Sequence, residues 1–220
     1  MKARRLTVLI SGTGSNLLAL IDAVGQGRIT AEIVHVISNN AQAGGLEHAR
    51  RAGIPCSVLE HDRFANRSDF DCALNLLMAV RQPDLVILAG FMRILGAAVL
   101  QEFAGRIVNL HPSLLPRHPG RNTYQRAIEA GDTRHGASMH FVTAELDAGP
   151  VVSQVRILIR AGDSPETLAS RLAPREHALI VATIELFTTH SVQCVDDSVW
   201  VDGRRLEQPL LLQDEKLLAP

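Results

Sequence analysis

An α/β fold is predicted for this chain: a mostly parallel sheet with helices on both faces and an antiparallel pair among its later strands. Three observations predict it. Short, near-continuous apolar runs alternate with amphipathic helical segments over the first half, the pattern of strands buried on both faces. A glycine-rich turn joins the first run to the first helix. After about residue 135 two apolar runs follow each other with no room for a crossover helix, so they should pair antiparallel.

The first strand is Leu6 to Ile10, ended by Ser11-Gly12-Thr13-Gly14-Ser15, after which Leu17, Ile21 and Val24 recur at helical spacing. A second strand is predicted over Ile33 to Ile37, a helix after Gly45 and a third strand near Cys56 to Leu59. Phe70, Leu74, Leu77 and Met78 share one face of a helix for which Ser68 is the expected N-cap. Pro83-Asp84 then punctuates, Leu85 to Ala89 forms a fourth strand and Ile107 to Leu110 a fifth. Ser138 to Val142 and Val151 to Ile159 are the later strands. Asp163-Ser164-Pro165-Glu166 offers a cap, a first-turn proline and an acid at the positive helix end, so a long helix should run to about Phe187. Pro174 withdraws the amide that would bond the Ser170 carbonyl, which predicts a kink or break near Ala173. Val192 to Val195 and Val199 to Val201, with Asp202-Gly203 as a turn, should make a small hairpin, followed by a frayed tail. Without repeats or a low-complexity linker, residues 1–190 are expected to form one domain, with the hairpin and tail of 191–220 packed on it or trailing from it.

Composition narrows function. With 22 basic against 23 acidic side chains the net charge is −1, which argues against a nucleic-acid domain. Aromatics at 4% cannot furnish stacking platforms for single strands. The longest apolar runs fall short of the roughly 18 residues of a membrane span, and the basic start Met1-Lys2-Ala3-Arg4-Arg5 precedes too short an apolar stretch for a signal peptide. Cys56, Cys72 and Cys194 are odd in number and lack any C-x-x-C pair, so neither a disulfide framework nor a zinc site is expected. A cytoplasmic protein acting on small molecules, without metal, nucleic acid or membrane, is the resulting expectation.

The glycine turn presents amides at the positive end of a helix dipole, where an anion is stabilised. Position 17, where a dinucleotide fingerprint needs its third glycine, holds Leu17, and the second strand closes on Ser38-Asn39-Asn40 rather than an acid. No lysine stands where a P-loop needs one. A phosphate monoester or a mere tight turn remains, with Ser15 and Asn16 as side-chain donors.

Polar residues just past an apolar strand in such a sheet are placed for chemistry, and Asn109-Leu110-His111-Pro112-Ser113 lies there. The imidazole can exchange a proton near neutral pH, and the carboxamide can donate to an oxygen gaining charge. No Gly-x-Ser-x-Gly elbow or nearby cysteine supplies a nucleophile, so the attacking group should belong to a substrate. Asp147, in Glu145-Leu146-Asp147-Ala148-Gly149-Pro150, is by itself explained as a turn former. Brought to His111, its charge would favour the protonated ring. His140 is read as a polar group lining the crevice.

Four ordered blocks carry a closer match: Ile10 to Leu17, Leu88 to Leu95, Asn109 to Pro116, and His140 to Thr143 with Leu146 to Pro150. Together they resemble the phosphoribosylglycinamide formyltransferase family, folate-dependent enzymes of purine synthesis with a Rossmann-like domain. The resemblance implies that the amine of 5′-phosphoribosylglycinamide attacks the formyl carbon of 10-formyltetrahydrofolate, the cosubstrate. It implies Asn109, His111 and Asp147 as catalytic. Gly12, Thr13, Gly14, Ser15 and Asn16 would take the substrate's phosphate and Glu176 a ribose hydroxyl. Met92, Arg93, Ile94 and Leu95 would border the pterin, with Thr143, Ala144, Glu145, Leu146 and Asp147 on its other side and Asn109 also among the folate-binding residues. Arg67 would meet the folate glutamate, although a solvated surface arginine explains it equally.

Ala173 stands where some relatives carry an amide near the phosphate, with Arg175 a substitute, and Asn122 stands where some have a histidine, so no catalytic role is given to it. The rivals are methionyl-tRNA formyltransferase and formyltetrahydrofolate deformylase, disfavoured by the length of the chain, and a non-catalytic nucleotide- or folate-binding module. A monomer or homodimer fits.

Overall fold

The computed structural model describes residues 3–219, so Met1 and Lys2 of the basic start and Pro220 of the tail lie outside the described residues. The chain divides into two compact units, one ending at Val108 and one starting at Asn109.

In the first unit the elements are β1 (Arg4–Ile10), α1 (Ser15–Gly25), β2 (Ala31–Ser38), α2 (Gly45–Arg51), β3 (Cys56–Val58), α3 (Arg67–Ala79), β4 (Leu85–Leu88) and α4 (Ala97–Glu102). The strands lie in the order β4-β1-β2-β3, all parallel. Leu6, Val8, Leu9, Ile10, Val36, Ile37, Val86 and Ile87 are fully buried, which is why their runs read as continuous rather than alternating. The strand order reverses between β1 and β4, and in such sheets the ligand crevice lies beyond the carboxyl ends of the strands at that reversal. The Ser11–Asn16 turn follows β1 and the Ala89–Leu95 segment follows β4.

The cap of α3 differs from expectation. Asn66, not Ser68, accepts the Asp69 amide at 3.0 Å. A capping side chain must precede the first turn to reach its orphan amides, and Ser68 already lies inside the helix.

Strand β5 (Ile107–His111) carries the chain into the second unit. There follow α5 (Thr123–Glu129), β6 (Arg134–Phe141), β7 (Val151–Leu158), α6 (Pro165–Thr189), β8 (Val192–Val195), β9 (Ser198–Val201), β10 (Arg204–Arg205), β11 (Leu210–Gln213) and β12 (Lys216–Leu218). The order is β5-β6-β7-β11-β12, with β6 and β7 antiparallel as expected. The tail expected to fray is instead ordered: β11 pairs in parallel with β7, and β12 returns antiparallel on it. Leu212 is buried there. Strands β8, β9 and β10 form a separate antiparallel sheet. Its hairpin turn is Asp196-Asp197, both at positive φ, while Asp202-Gly203 joins β9 to β10.

Helix α6 begins with a capping box, in which Ser164 accepts the Thr167 amide and Thr167 accepts the Ser164 amide. It then runs unbroken through Pro174, against the predicted break. An interior proline costs about 3 kcal/mol, whereas each fully buried Leu, Ile or Phe returns about 1.5–3 kcal/mol. Leu168, Leu172, Leu179, Ile180, Ile184 and Phe187 are all buried on this helix. Pro174 and Ser170 are both exposed, so water can satisfy the carbonyl left without its amide.

Candidate active site

In the first unit, the turn after β1 approaches the start of α2 so closely that a Cβ on Gly14 would lie 2.3 Å from the Gly45 Cα. Gly14 also adopts φ 77°, a left-handed conformation in which only glycine is unstrained. The Gly45 amide donates to the Gly12 carbonyl at 3.2 Å. This packing leaves Gly12, Thr13 and Ser15 exposed at the head of α1. The Asn16 Oδ1 is buried without a hydrogen-bond partner.

The Ser11 hydroxyl ties this turn to the segment after β4. It donates to the Asn39 Oδ1 at 2.5 Å and accepts the Met92 amide at 2.8 Å. Met92 and Ile94 are 65% and 58% exposed while Leu95 is buried, so the segment offers two apolar side chains to solvent and anchors itself with a third. The Arg93 guanidinium sits 5.4 Å from the centroid of the Phe70 ring. Arg67 donates to the Ile94 carbonyl at 3.1 Å and approaches Asp71 at 3.4 Å, so this side chain braces the Met92–Leu95 backbone.

In the second unit, Asn109 and His111 are two residues apart on β5 and therefore share a face of the strand. His140, at the end of β6, is 2% exposed. Asp147 lies in the β6–β7 loop at φ 52°. That loop folds tightly: a Cβ on Gly149 would meet the Phe141 carbonyl oxygen at 2.0 Å, so the Ala148-Gly149-Pro150 turn needs glycine there.

The four side chains interlock. The Asn109 Nδ2 donates to the His140 Nε2 at 3.0 Å. The His111 Nδ1 lies 3.4 Å from the Asp147 Oδ2, and the His140 Nε2 lies 3.6 Å from the Asp147 Oδ1. Asp147 accepts the Gly120 amide at 2.8 Å, and the His111 Nε2 donates to the His118 carbonyl at 3.1 Å. Burial holds the His140 imidazole well below the usual histidine range, outweighing the opposing pull of its bond to Phe141 and of Asp147. The His140 ring is therefore neutral, with Nδ1–H donating to the Phe141 carbonyl at 2.9 Å and Nε2 free to accept from Asn109. Its contact with Asp147 is not an ion pair.

Of the remaining expected site residues, Glu176 on α6 accepts the Tyr124 hydroxyl at 3.2 Å. Burial first, then the Glu176 charge, pushes that phenol far above its ordinary range. Thr143 donates weakly to the Glu145 carbonyl at 3.4 Å, and Ala144, Glu145 and Leu146 are exposed. His118, Asp132, His135 and Tyr124 were not singled out in the sequence. The His-Pro-Gly of 118–120, following the His-Pro of 111–112, was the one signal available. Among the described residues no group of three or more His, Cys, Asp or Glu side chains is placed to hold a metal ion. No helix among them is long and apolar enough to cross a membrane.

A Rossmann-like α/β chain whose fifth strand ends in an Asn–His pair beside an aspartate of the β6–β7 loop has the parts for acyl transfer. The formyl transferase family model matches residues 4–184, and the chain belongs to that family. The phosphoribosylglycinamide formyltransferase of Escherichia coli (strain K12) is 44% identical over 210 residues, covering 96% of this chain and 99% of that protein. The enzyme of the same name from Haemophilus influenzae is 43% identical over 203 residues, covering 92% and 96%. Among solved structures, the phosphoribosylglycinamide formyltransferase of Coxiella burnetii in complex with CHES superposes with a TM-score of 0.88 at 40% identity, covering 99% of this chain and 100% of that one.

Proposed function

We propose that this chain transfers the formyl group of 10-formyltetrahydrofolate to the amine of 5′-phosphoribosylglycinamide, giving the N-formyl product and tetrahydrofolate. The observation that carries this reading is the interlocked set of Asn109, His140, Asp147 and His111 in a member of the formyl transferase family. The substrate nitrogen attacks the formyl carbon, a C–N bond forms and the carbonyl electron pair moves to oxygen. The Asn109 carboxamide has two N–H donors, and one is committed to the neutral His140. The second is free for the developing oxyanion. Collapse returns the electron pair to the carbonyl and breaks the bond to the folate nitrogen, which must gain a proton as the attacking amine loses one. His111, beside the carboxylate of Asp147, is the group that carries it.

By the same reading the Gly12–Asn16 turn takes the phosphate, Glu176 a ribose hydroxyl, and Met92–Leu95 and Thr143–Asp147 the pterin. Arg67 reaches the folate glutamate only with the guanidinium hydrogens that Ile94 and Asp71 leave unused. The enzyme would act in the cytoplasm on small molecules, as a monomer or homodimer. The test follows folate product spectroscopically with phosphoribosylglycinamide, with water alone and with initiator methionyl-tRNA as acceptors. Product with the first acceptor alone supports the reading. Product with water or with tRNA alone replaces it.

A further inference from the structure

We propose that His118 and Asp132 form a clasp that positions His111, His118 acting through its backbone carbonyl while its ring anchors that carbonyl. The inference rests on His111 being the proton carrier of the proposed reaction.

The His118 carbonyl is 3.1 Å from the His111 Nε2. A carbonyl can only accept, so that nitrogen carries a hydrogen and the ring plane is set by where the carbonyl points. Its direction is in turn set by the His118 backbone, which lies at φ 53°. A non-glycine residue reaches this left-handed region at a cost and holds it only when its surroundings over-determine it.

Those surroundings are specific. The His118 Nε2 lies 2.7 Å from the Asp132 Oδ2, and Arg117 pairs with the other oxygen of the same carboxylate. The Asp132 side chain is 7% exposed and that of His118 12%. A carboxylate this buried is tolerated because both oxygens are engaged, and deleting a partner leaves a charge without compensation. The backbone is pinned on either side as well. Ser113 donates to the Arg117 carbonyl at 2.7 Å, and the Gly120 amide donates to Asp147 at 2.8 Å. The segment from 117 to 120 thus touches both His111 and Asp147. Among the described residues neither the His118 ring nor Asp132 makes a hydrogen bond or ion pair with either of them, which makes these two positioning residues. The titratable and charged groups facing His118 are Asp132, Arg117 through that carboxylate, His135 on β6, and His111 at its carbonyl.

The test compares His118→Ala, Asp132→Ala, the double variant and His118→Gln, whose amide retains a donor toward Asp132. Formyl-transfer kinetics are measured together with the 15N signal of the His111 Nε2 in histidine-labelled protein. Misplacement of a reacting group by a fraction of an ångström should lower kcat about tenfold in each alanine variant with KM nearly unchanged. The double variant should lose no more than either single one, because both act through one carbonyl. His118→Gln should recover most of the loss, and the His111 Nε2 signal should shift in His118→Ala. Unchanged kcat, losses that multiply in the double variant, or an unmoved His111 signal would overturn the clasp. Should Asp132→Ala fail to fold, the isosteric Asp132→Asn, which can accept from only one of its two partners, takes its place. Absence of formyl transfer by the unaltered protein would sink the proposed function instead, while the His111 signal in His118→Ala still decides the clasp.

Discussion

Acidification from pH 7 to pH 5 should destabilise this protein measurably through His135. Its ring lies against Tyr124 with centroids 5.0 Å apart, and its Nε2 is buried without a hydrogen-bond partner. Burial first, then the His118 charge, lowers its pKa from 6.5 to about 4, against the opposing bond to the Pro112 carbonyl. The unfolded chain therefore takes up this proton before the folded one does. The stabilisation is complete above about pH 6.5 and disappears as the pH falls toward 4. A displacement of this size integrates to about 2 kcal/mol between pH 7 and pH 5. For a chain of this length that is a fall of roughly 4–8 °C in melting temperature. His35 and His177 are displaced in the same direction by burial and steepen the overall curve. The assay is urea denaturation of the unaltered protein and of His135→Gln at pH 7, 6 and 5. Comparing slopes against pH rather than absolute stabilities removes any cost of the substitution itself. The slope should be shallower in the variant by the stated amount, and equal slopes would refute the assignment of a neutral His135 whose Nε2 has no partner.

Three further outcomes are expected. Asn109→Ala removes an oxyanion donor and should slow turnover by roughly 100- to 1000-fold with little effect on folding, measured by steady-state kinetics beside circular dichroism. Asp147→Asn takes away the carboxylate that lies 3.4 Å from the His111 Nδ1, so kcat should fall at fixed pH in steady-state kinetics; an unchanged kcat would remove Asp147 from the reaction. Gly14→Ala places a Cβ 2.3 Å from the Gly45 Cα at a positive φ, so it should both lower the melting temperature and abolish protection of the fold by phosphoribosylglycinamide, read by thermal shift.

The elements legible in the sequence were those whose signal is local. Leu6 to Ile10 and Leu85 to Leu88 are apolar without interruption because both faces of their strands are covered, and a run of that kind announces itself. Asn109 and His111 stood out for a related reason: they close an apolar run, and the fold places both on one face of β5. What escaped depended on partners distant in the chain. Leu210 to Gln213 has no pattern that distinguishes a tail from a strand, and it becomes one by pairing with Ser153 and Gln154. Pro174 breaks a helix in isolation, yet α6 buries enough apolar surface to carry it. His118 and Asp132 are separated by 14 residues with no motif between them, and only the fold shows that they meet. Arg67, expected at a ligand carboxylate, spends part of its guanidinium on the Ile94 carbonyl.

Two histidines of the cluster receive opposite settings from their neighbours, and in the proposed reaction that division lets one small site serve both an oxyanion and a proton. The His140 Nε2 faces a donor, the Asn109 amide, and its Nδ1 already donates to a carbonyl. Burial keeps it neutral, because a cation there would have no water and would turn an N–H toward another N–H. The His111 ring instead has an acceptor at each nitrogen, the Asp147 carboxylate on one side and the His118 carbonyl on the other. Its two nitrogens thus face oxygens, where the Nε2 of His140 faces a donor. Here the His118 carbonyl and the Asp147 carboxylate that face His111 are carried by two loops, 117–120 and 143–150. Substitutions in those loops that leave all four polar residues intact should therefore alter the reaction as surely as substitutions of the residues themselves.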